Sequence, residues 1–307
     1  MDWRPTATPQ TIRSRARLYQ KIRAFFATSD CLEVDTPLLS VSTNTDPNIA
    51  SIVADVRLYL QTSPEFAMKR LLAAGSGSIY QICHAFRAGE RGSRHRSEFT
   101  LLEWYRVGFD YRQLMDEMER LINSLSDQKN QFLRVSYTDL FKQHLGVDID
   151  SVELIELRNI CSQRIPGTDS EQLTFDECLD LLISLLISPL MEGYVFVTDY
   201  PLSQASLARV SERNPKFAER FELYYNGLEL ANGFSELTDA SVQRQRFLED
   251  NLQRQKFSLP EYPLDERFLS ALAAGLPDCA GVALGLDRLL MVLLELDSID
   301  QVMSFSD

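Results

Sequence analysis

The stretch 86-FRAGERGSRHRSEFTLLEWYR-106 decides how this chain is read. Before it, 78-SIYQICHAFRAG-89 has the pattern of a long strand, and 98-EFTLLEWYRVG-108 has the pattern of a second. Two strand patterns around a charged loop with two glycines predict an antiparallel hairpin. Arg87 falls at the end of the first strand, where the sheet can fix its side chain. A guanidinium held this way binds phosphate or carboxylate through two parallel hydrogen bonds. Arg91, Arg94, His95 and Arg96 add charge to the loop, and Phe86 and Phe99 offer flat apolar faces. Cations beside an aromatic ring suit a nucleoside triphosphate. A solvated basic hairpin is an equally good reading of the loop alone.

The rest of the chain is acidic. It has 307 residues and a formal net charge of −13, which argues against broad, non-specific nucleic-acid binding but not against a local basic pocket. With 45% hydrophobic and 24% charged residues, the composition is that of a soluble globular protein able to bury a large core. No linker interrupts it, so residues 1–307 are expected to form a single domain. Five cysteines, an odd number with no C-x-x-C spacing, speak against a disulfide framework or structural zinc and fit a reducing cytoplasm. The N-terminal MDWRPTATPQ lacks the apolar core of a signal peptide. The apolar run LLISLLISPL is far short of the roughly 20 residues that span a bilayer, so no membrane partner is expected.

Working outward from the hairpin, an amphipathic helix is predicted over 11–29, with Leu18, Ile22, Phe25 and Phe26 on one stripe. CLEVDTPLL reads as a short strand broken by Pro37, and RLYLQTSPEF as a strand leading into a helix that Pro64 can open and Gly75 ends. DYRQLMDEMERLINSL is a helix, and residues 135–190 are mostly helical without legible chemistry. YVFVTDYP is a strand. ERFELYYNGLELANGF turns at Asn226-Gly227, a type I′ pair. Two helices follow, and CAGVALGLDRLLMVLLEL reads as strand, glycine break and buried helix. Hairpins without regular βαβ alternation imply an α+β fold, a mainly antiparallel sheet flanked by helices.

Three further stretches carry polar groups. In ELANGFSEL, Glu229 and Glu236 are seven apart, on opposite faces of a straight strand unless Asn232-Gly233 bulges. Paired carboxylates near phosphate suit Mg²⁺, but two unrelated surface glutamates satisfy the spacing more simply. GVALGLDRLL places Asp287 and Arg288 at a helix start, where Arg288 either reinforces an anion site or is an ordinary helix-end charge. In TSPEF, Glu65 occupies a helix N-terminus that welcomes a carboxylate anyway, and Tyr105 suits a half-buried strand. No P-loop, dinucleotide-binding fingerprint or G-x-S-x-G elbow is present. His84, His95 and His144 show no metal spacing, and adjacent Cys83 and His84 must point to opposite faces.

Taken in order, FFATSDCLEVDTPLL, TSPEFAMKRLL, FRAGERGSRHRSEFTLLEWYR, ELANGFSELTDA and GVALGLDRLLM resemble the three-motif catalytic core of class II aminoacyl-tRNA synthetases of the lysyl type, over nearly the whole chain. Within that class the chain is similar to the lysyl-tRNA synthetase paralogues that modify elongation factor P. The core begins almost at Met1, so no anticodon-binding domain is expected, and Ala283 stands where the synthetase has a glycine. The resemblance implies ATP as a substrate with Mg²⁺, (R)-β-lysine as the amino acid, elongation factor P rather than tRNA as acceptor, and a homodimer formed through motif 1, which contains Pro37. It assigns catalysis to Arg87, Glu229 and Arg288. ATP falls to Arg87, Gly89, Glu90, His95, Arg96, Phe99, Glu229, Leu230, Gly285 and Arg288, with Phe99 under the adenine and Arg288 on its other side. Ser63, Pro64, Glu65, Tyr105, Glu236 and Ala283 line the amino-acid pocket, and Glu229 and Glu236 hold the metal. The pattern departs at Gly89, where the synthetase has a glutamate that here stands one residue later as Glu90, and at Arg96-Ser97, where Asn-Pro is common. A truncated enzyme acting on tRNA and a non-catalytic lysine or ATP sensor are the alternatives.

Overall fold

The computed structural model describes residues 3–306. Backbone contacts divide the chain into two units, Met1–Lys129 with Ser235–Asp307, and Asn130–Phe234. The first unit opens with α1, Pro9–Ala27, where proline sits in the first turn and the Thr8 side chain accepts from the Thr11 amide. Helix α1 buries Leu18, Ile22 and Phe26, and the Phe26 ring stacks on Tyr80 with centroids 4.4 Å apart. Short strands follow: β1, Leu32–Glu33; β2, Leu39–Ser40; β3, Val53–Asp55; and β4, Leu58–Leu60. The last three form a small sheet in the order β2-β4-β3. Helix α2, Glu65–Ala73, begins straight after Pro64, and the chain leaves it through Gly75 at φ +87°.

The predicted hairpin is present. Strands β5, Ile79–Phe86, and β6, Glu98–Val107, pair antiparallel from Phe86↔Glu98 to Ile79↔Tyr105. Helix α3, Tyr111–Leu125, starts in a capping box of Asp110 and Gln113.

The second unit contains β7, Phe132–Ser136; α4, Tyr137–Leu145; α5, Leu154–Arg164; α6, Phe175–Leu182; β8, Tyr194–Pro201; β9, Phe217–Tyr225; and β10, Leu228–Ser235. Its strands run in the order β10-β9-β8-β7, over a core that includes Tyr137, Phe141, Leu157, Leu182 and Val197. The β9–β10 turn has φ 46° at Asn226 and 75° at Gly227, as the Asn-Gly pair predicts. A Cβ on Gly227 would lie 2.4 Å from the Ser188 carbonyl oxygen, so glycine is required there for space as well.

The chain then returns to the first unit with α7, Ala240–Lys256; α8, Glu266–Gly275; β11, Cys279–Gly285; and α9, Leu286–Leu293. Four strands of that unit run in the order β1-β5-β6-β11. Only β1–β5 and β7–β8 are parallel among the described pairs. The mainly antiparallel α+β expectation therefore holds. All five cysteines are buried and free. Among the described residues, no helix is long and apolar enough to cross a membrane.

Candidate active site

Strand β6 carries the site. Its neighbours place Gln81 and Ala283 on either side of Glu103, and Ile79 and Gly281 on either side of Tyr105. Glu103 and Tyr105 are two apart on one strand, so they share a face, and the Tyr105 hydroxyl donates to Glu103 Oε1 at 2.7 Å. Ser63 donates to the other oxygen, Oε2, at 2.8 Å. The same Ser63 hydroxyl accepts from the Glu65 amide at 3.0 Å, fixing the start of α2.

Glu65 and Glu236 meet at Lys69. The lysine ammonium lies 2.6 Å from Glu65 Oε1 and 2.5 Å from Glu236 Oε2. The Glu236 amide donates to the Cys279 carbonyl at 2.9 Å, which ties the residue to β11. Its Oε1 has no hydrogen-bond partner among the described residues. Gly281 makes this approach possible, because a Cβ there would fall 2.3 Å from Tyr105 Cε1 and 2.4 Å from Glu236 Oε1. Glu103, Tyr105, Lys69 and Glu236 are each no more than 2% exposed.

Burial governs the charges of this cage. It pushes Glu103 up to about 7, helped by nearby Glu65 and opposed by the Tyr105 and Ser63 hydrogen bonds. Burial pulls the Lys69 ammonium down, but Glu236 and Glu65 outweigh it and the net shift is upward. Lys69 therefore stays charged. Burial likewise raises Glu236, with the Lys69 ammonium working against it.

The hairpin loop is the second cluster. The Arg87 guanidinium lies over the Phe99 ring, 5.1 Å from its centroid, and 3.7 Å from Glu90. Among the described residues, Arg87 Nε is enclosed without a hydrogen-bond partner. Gly89 has φ +79°, a conformation that disfavours the glutamate of the usual pattern. The acid one position later, Glu90, is the one beside Arg87.

Arg288 donates from Nε to the Arg94 carbonyl at 3.2 Å, and its Nη2 lies 2.6 Å from His95 Nε2. Desolvation and the Arg288 charge push His95 down, leaving a neutral ring to accept. Arg96 pairs with Asp300 and donates to the Gly92 and His95 carbonyls. Ile299 donates its amide to Ser93, so the loop is fastened to the C-terminal segment. Asp287 is a structural tie, accepting from the Thr100 amide and pairing with Arg15.

Several expectations change. The β-bulge lies between Glu229 and Ala231 rather than at Asn232-Gly233, whose register with Glu222 and Phe221 is regular. Glu229 and buried Leu230 belong to the second unit. There, Glu229 adds to the charge environment of Arg220, which pairs with Glu222 at 2.5 Å. Glu236, expected on both metal and amino acid, lies against the Lys69 cation. Sequence reading missed Glu103 and Lys69. Period two from Tyr105 and the i,i+4 helical step from Glu65 were the available signals. Exposed His84 pairs with Glu98, and Cys83 is buried on the opposite face, as predicted.

A shielded carboxylate cage beside an arginine-bearing hairpin can bind an ammonium-bearing acid next to a polyphosphate. The family model for class II tRNA synthetases (D, K and N) matches residues 1–307, and the chain belongs to that family. Three relatives, each called elongation factor P–(R)-β-lysine ligase, share its length. The protein from Pasteurella multocida is 44% identical over 99% of this chain and 97% of its own. That from Edwardsiella ictaluri is 43% identical over 99% and 97%, and that from Avibacterium paragallinarum 43% over 99% and 98%.

Proposed function

We infer that this chain activates (R)-β-lysine with ATP and transfers it to a lysine of elongation factor P, as the relatives' name states for them. The carboxylate cage of Glu65, Glu103 and Glu236 is the observation that carries this reading, since it suits a substrate with more than one ammonium group. On this reading residues 1–307 work as one catalytic domain, in the cytoplasm, as a homodimer joined through the segment around Pro37, and without tRNA.

The substrate carboxylate attacks the α-phosphorus of ATP, forming an aminoacyl-adenylate and releasing pyrophosphate. Both reactants are anions, so preorganised positive charge is the main catalytic requirement. Arg87, over the Phe99 ring, bridges the α-phosphate and the carboxylate. Phe99 supports the adenine, with Gly89, Glu90 and Gly285 around the nucleotide. Arg288, His95 and Arg96 face the outer phosphates. Ala283, beside Glu103, shapes the end of the amino-acid pocket together with Ser63 and Pro64.

Among the described residues, no cluster of three or more His, Cys, Asp or Glu could hold a metal by itself. Mg²⁺ commonly takes one or two carboxylates and completes its shell with phosphate oxygens and water. Glu229 would hold it; Glu236 already faces a cation. When bound, Mg²⁺ supplies charge neutralisation on the phosphates. A lysine amine of the acceptor then attacks the activated carbonyl and AMP leaves, with no enzyme nucleophile required.

ATP–pyrophosphate exchange with (R)-β-lysine, (S)-β-lysine and α-lysine tests the first half. Exchange strongest with (R)-β-lysine is expected. No exchange with any of the three would instead indicate a sensor, the second reading.

A further inference from the structure

Lys69 is a charged side chain with no access to water, only 1% exposed. The ammonium lies 5.7 Å from the centroid of the Phe268 ring, which stacks on Phe66 at 4.7 Å. The i,i+4 step of α2 carries the ammonium back to Glu65, and its other side meets Glu236. Without a cation between them, the two carboxylates would repel. Glu103 is held differently, by the neutral hydroxyls of Ser63 and Tyr105, which orient it without changing the charge. Three carboxyl groups face this single ammonium, so the cage holds more acid than base. An amino acid with two ammonium groups balances that excess.

We propose that Lys69 is a positioning residue for the amino acid: its ammonium bridges Glu65 and Glu236, holds both in place, and offsets part of the acidic excess that a diammonium substrate neutralises. The proposal rests on the diamino-acid reading given above. Removing Lys69 would leave enclosed carboxylates unpaired, the change that costs most in a buried ion pair. Its partners Glu65, Glu236 and Phe268 belong to the cage, so its loss falls on the amino acid.

The test is ATP–pyrophosphate exchange by the full chain, wild type against K69M and K69R, titrating (R)-β-lysine and ATP separately, with thermal melting as the folding control. For K69M the expected result is a KM for (R)-β-lysine raised at least about tenfold with the KM for ATP changed less than about twofold. K69R, which keeps the charge, should recover most of the loss. Amino-acid KM unchanged in K69M, or amino-acid and ATP KM values raised together, overturns the proposal. Should K69M melt below the assay temperature, K69R carries the test alone: a KM within about threefold of wild type supports the bridge, and a larger rise confined to the amino acid contradicts it. A wild type inactive with every diamino acid breaks the proposed function and this inference with it. An active wild type with an indifferent K69M breaks this inference only.

Discussion

The carboxylate cage and the arginine loop solve opposite problems by opposite means. The cage is sealed: Glu103, Tyr105, Lys69 and Glu236 are buried, and each of the three carboxylates is already engaged by Ser63, Tyr105 or Lys69. The loop lies open, with Arg91, Arg94 and His95 exposed and its arginines resting on carbonyls and one aspartate. In the cage, low dielectric magnifies each charge and punishes each unpaired one. Around the loop, water and salt screen the charges, so several arginines share the work of one. Selectivity for the amino acid should therefore be concentrated in a few residues, and affinity for the triphosphate spread over many.

The sharpest way to break this contrast is Glu236→Gln. It leaves Lys69 facing one carboxylate instead of two, inside the sealed region. A loss of about 3–5 kcal/mol is expected, enough to abolish measurable exchange with (R)-β-lysine while circular dichroism still reports a folded chain. Wild-type exchange rates in this variant would mean that the pocket lies elsewhere.

Gly281→Ala should come next. The added methyl meets Tyr105 and Glu236 at contact distances no pair of atoms tolerates, and overpacking of that kind costs about 1–3 kcal/mol. Amino-acid KM should rise by roughly one order of magnitude, matching that energy, with a smaller change in ATP KM.

A third test uses pH. Glu103 is raised to about 7 by burial, so it is protonated below that pH and ionised above it. An ammonium ligand needs the ionised form. Amino-acid KM should fall as pH rises through about 7, and Glu103→Gln should flatten that dependence in the same titration.

The smallest effect belongs to the loop. Arg96→Ala removes the tie to Asp300 and to the Gly92 and His95 carbonyls. Loss of a partly exposed ion pair should raise ATP KM only about two- to threefold, with amino-acid KM unaffected. A larger effect on the amino acid would show that the two clusters are not separable.

The same contrast explains what the sequence made legible. The β5–β6 hairpin was plain, because alternating strands flank a glycine-bearing loop and Arg87 must fall at the strand end. The Asn226-Gly227 turn was equally plain, since both residues needed positive φ. The cage was only half visible. Glu65, Tyr105 and Glu236 were found through motif resemblance, whereas Glu103 and Lys69 lie among residues that look like ordinary strand and helix positions. What singles them out is enclosure by β5, β11 and α8, a property of packing between distant segments. The bulge in β10 was expected at Asn232-Gly233 because glycine permits it there, yet it formed between Glu229 and Ala231, where local sequence gives no signal.

The most direct test of the central claim is single-turnover transfer. Purified chain, ATP and labelled (R)-β-lysine are mixed with either elongation factor P or lysine tRNA, and label on each acceptor is measured. Rapid labelling of one lysine in elongation factor P, with none on tRNA, is the predicted result. Label that reaches tRNA and leaves elongation factor P bare would contradict it.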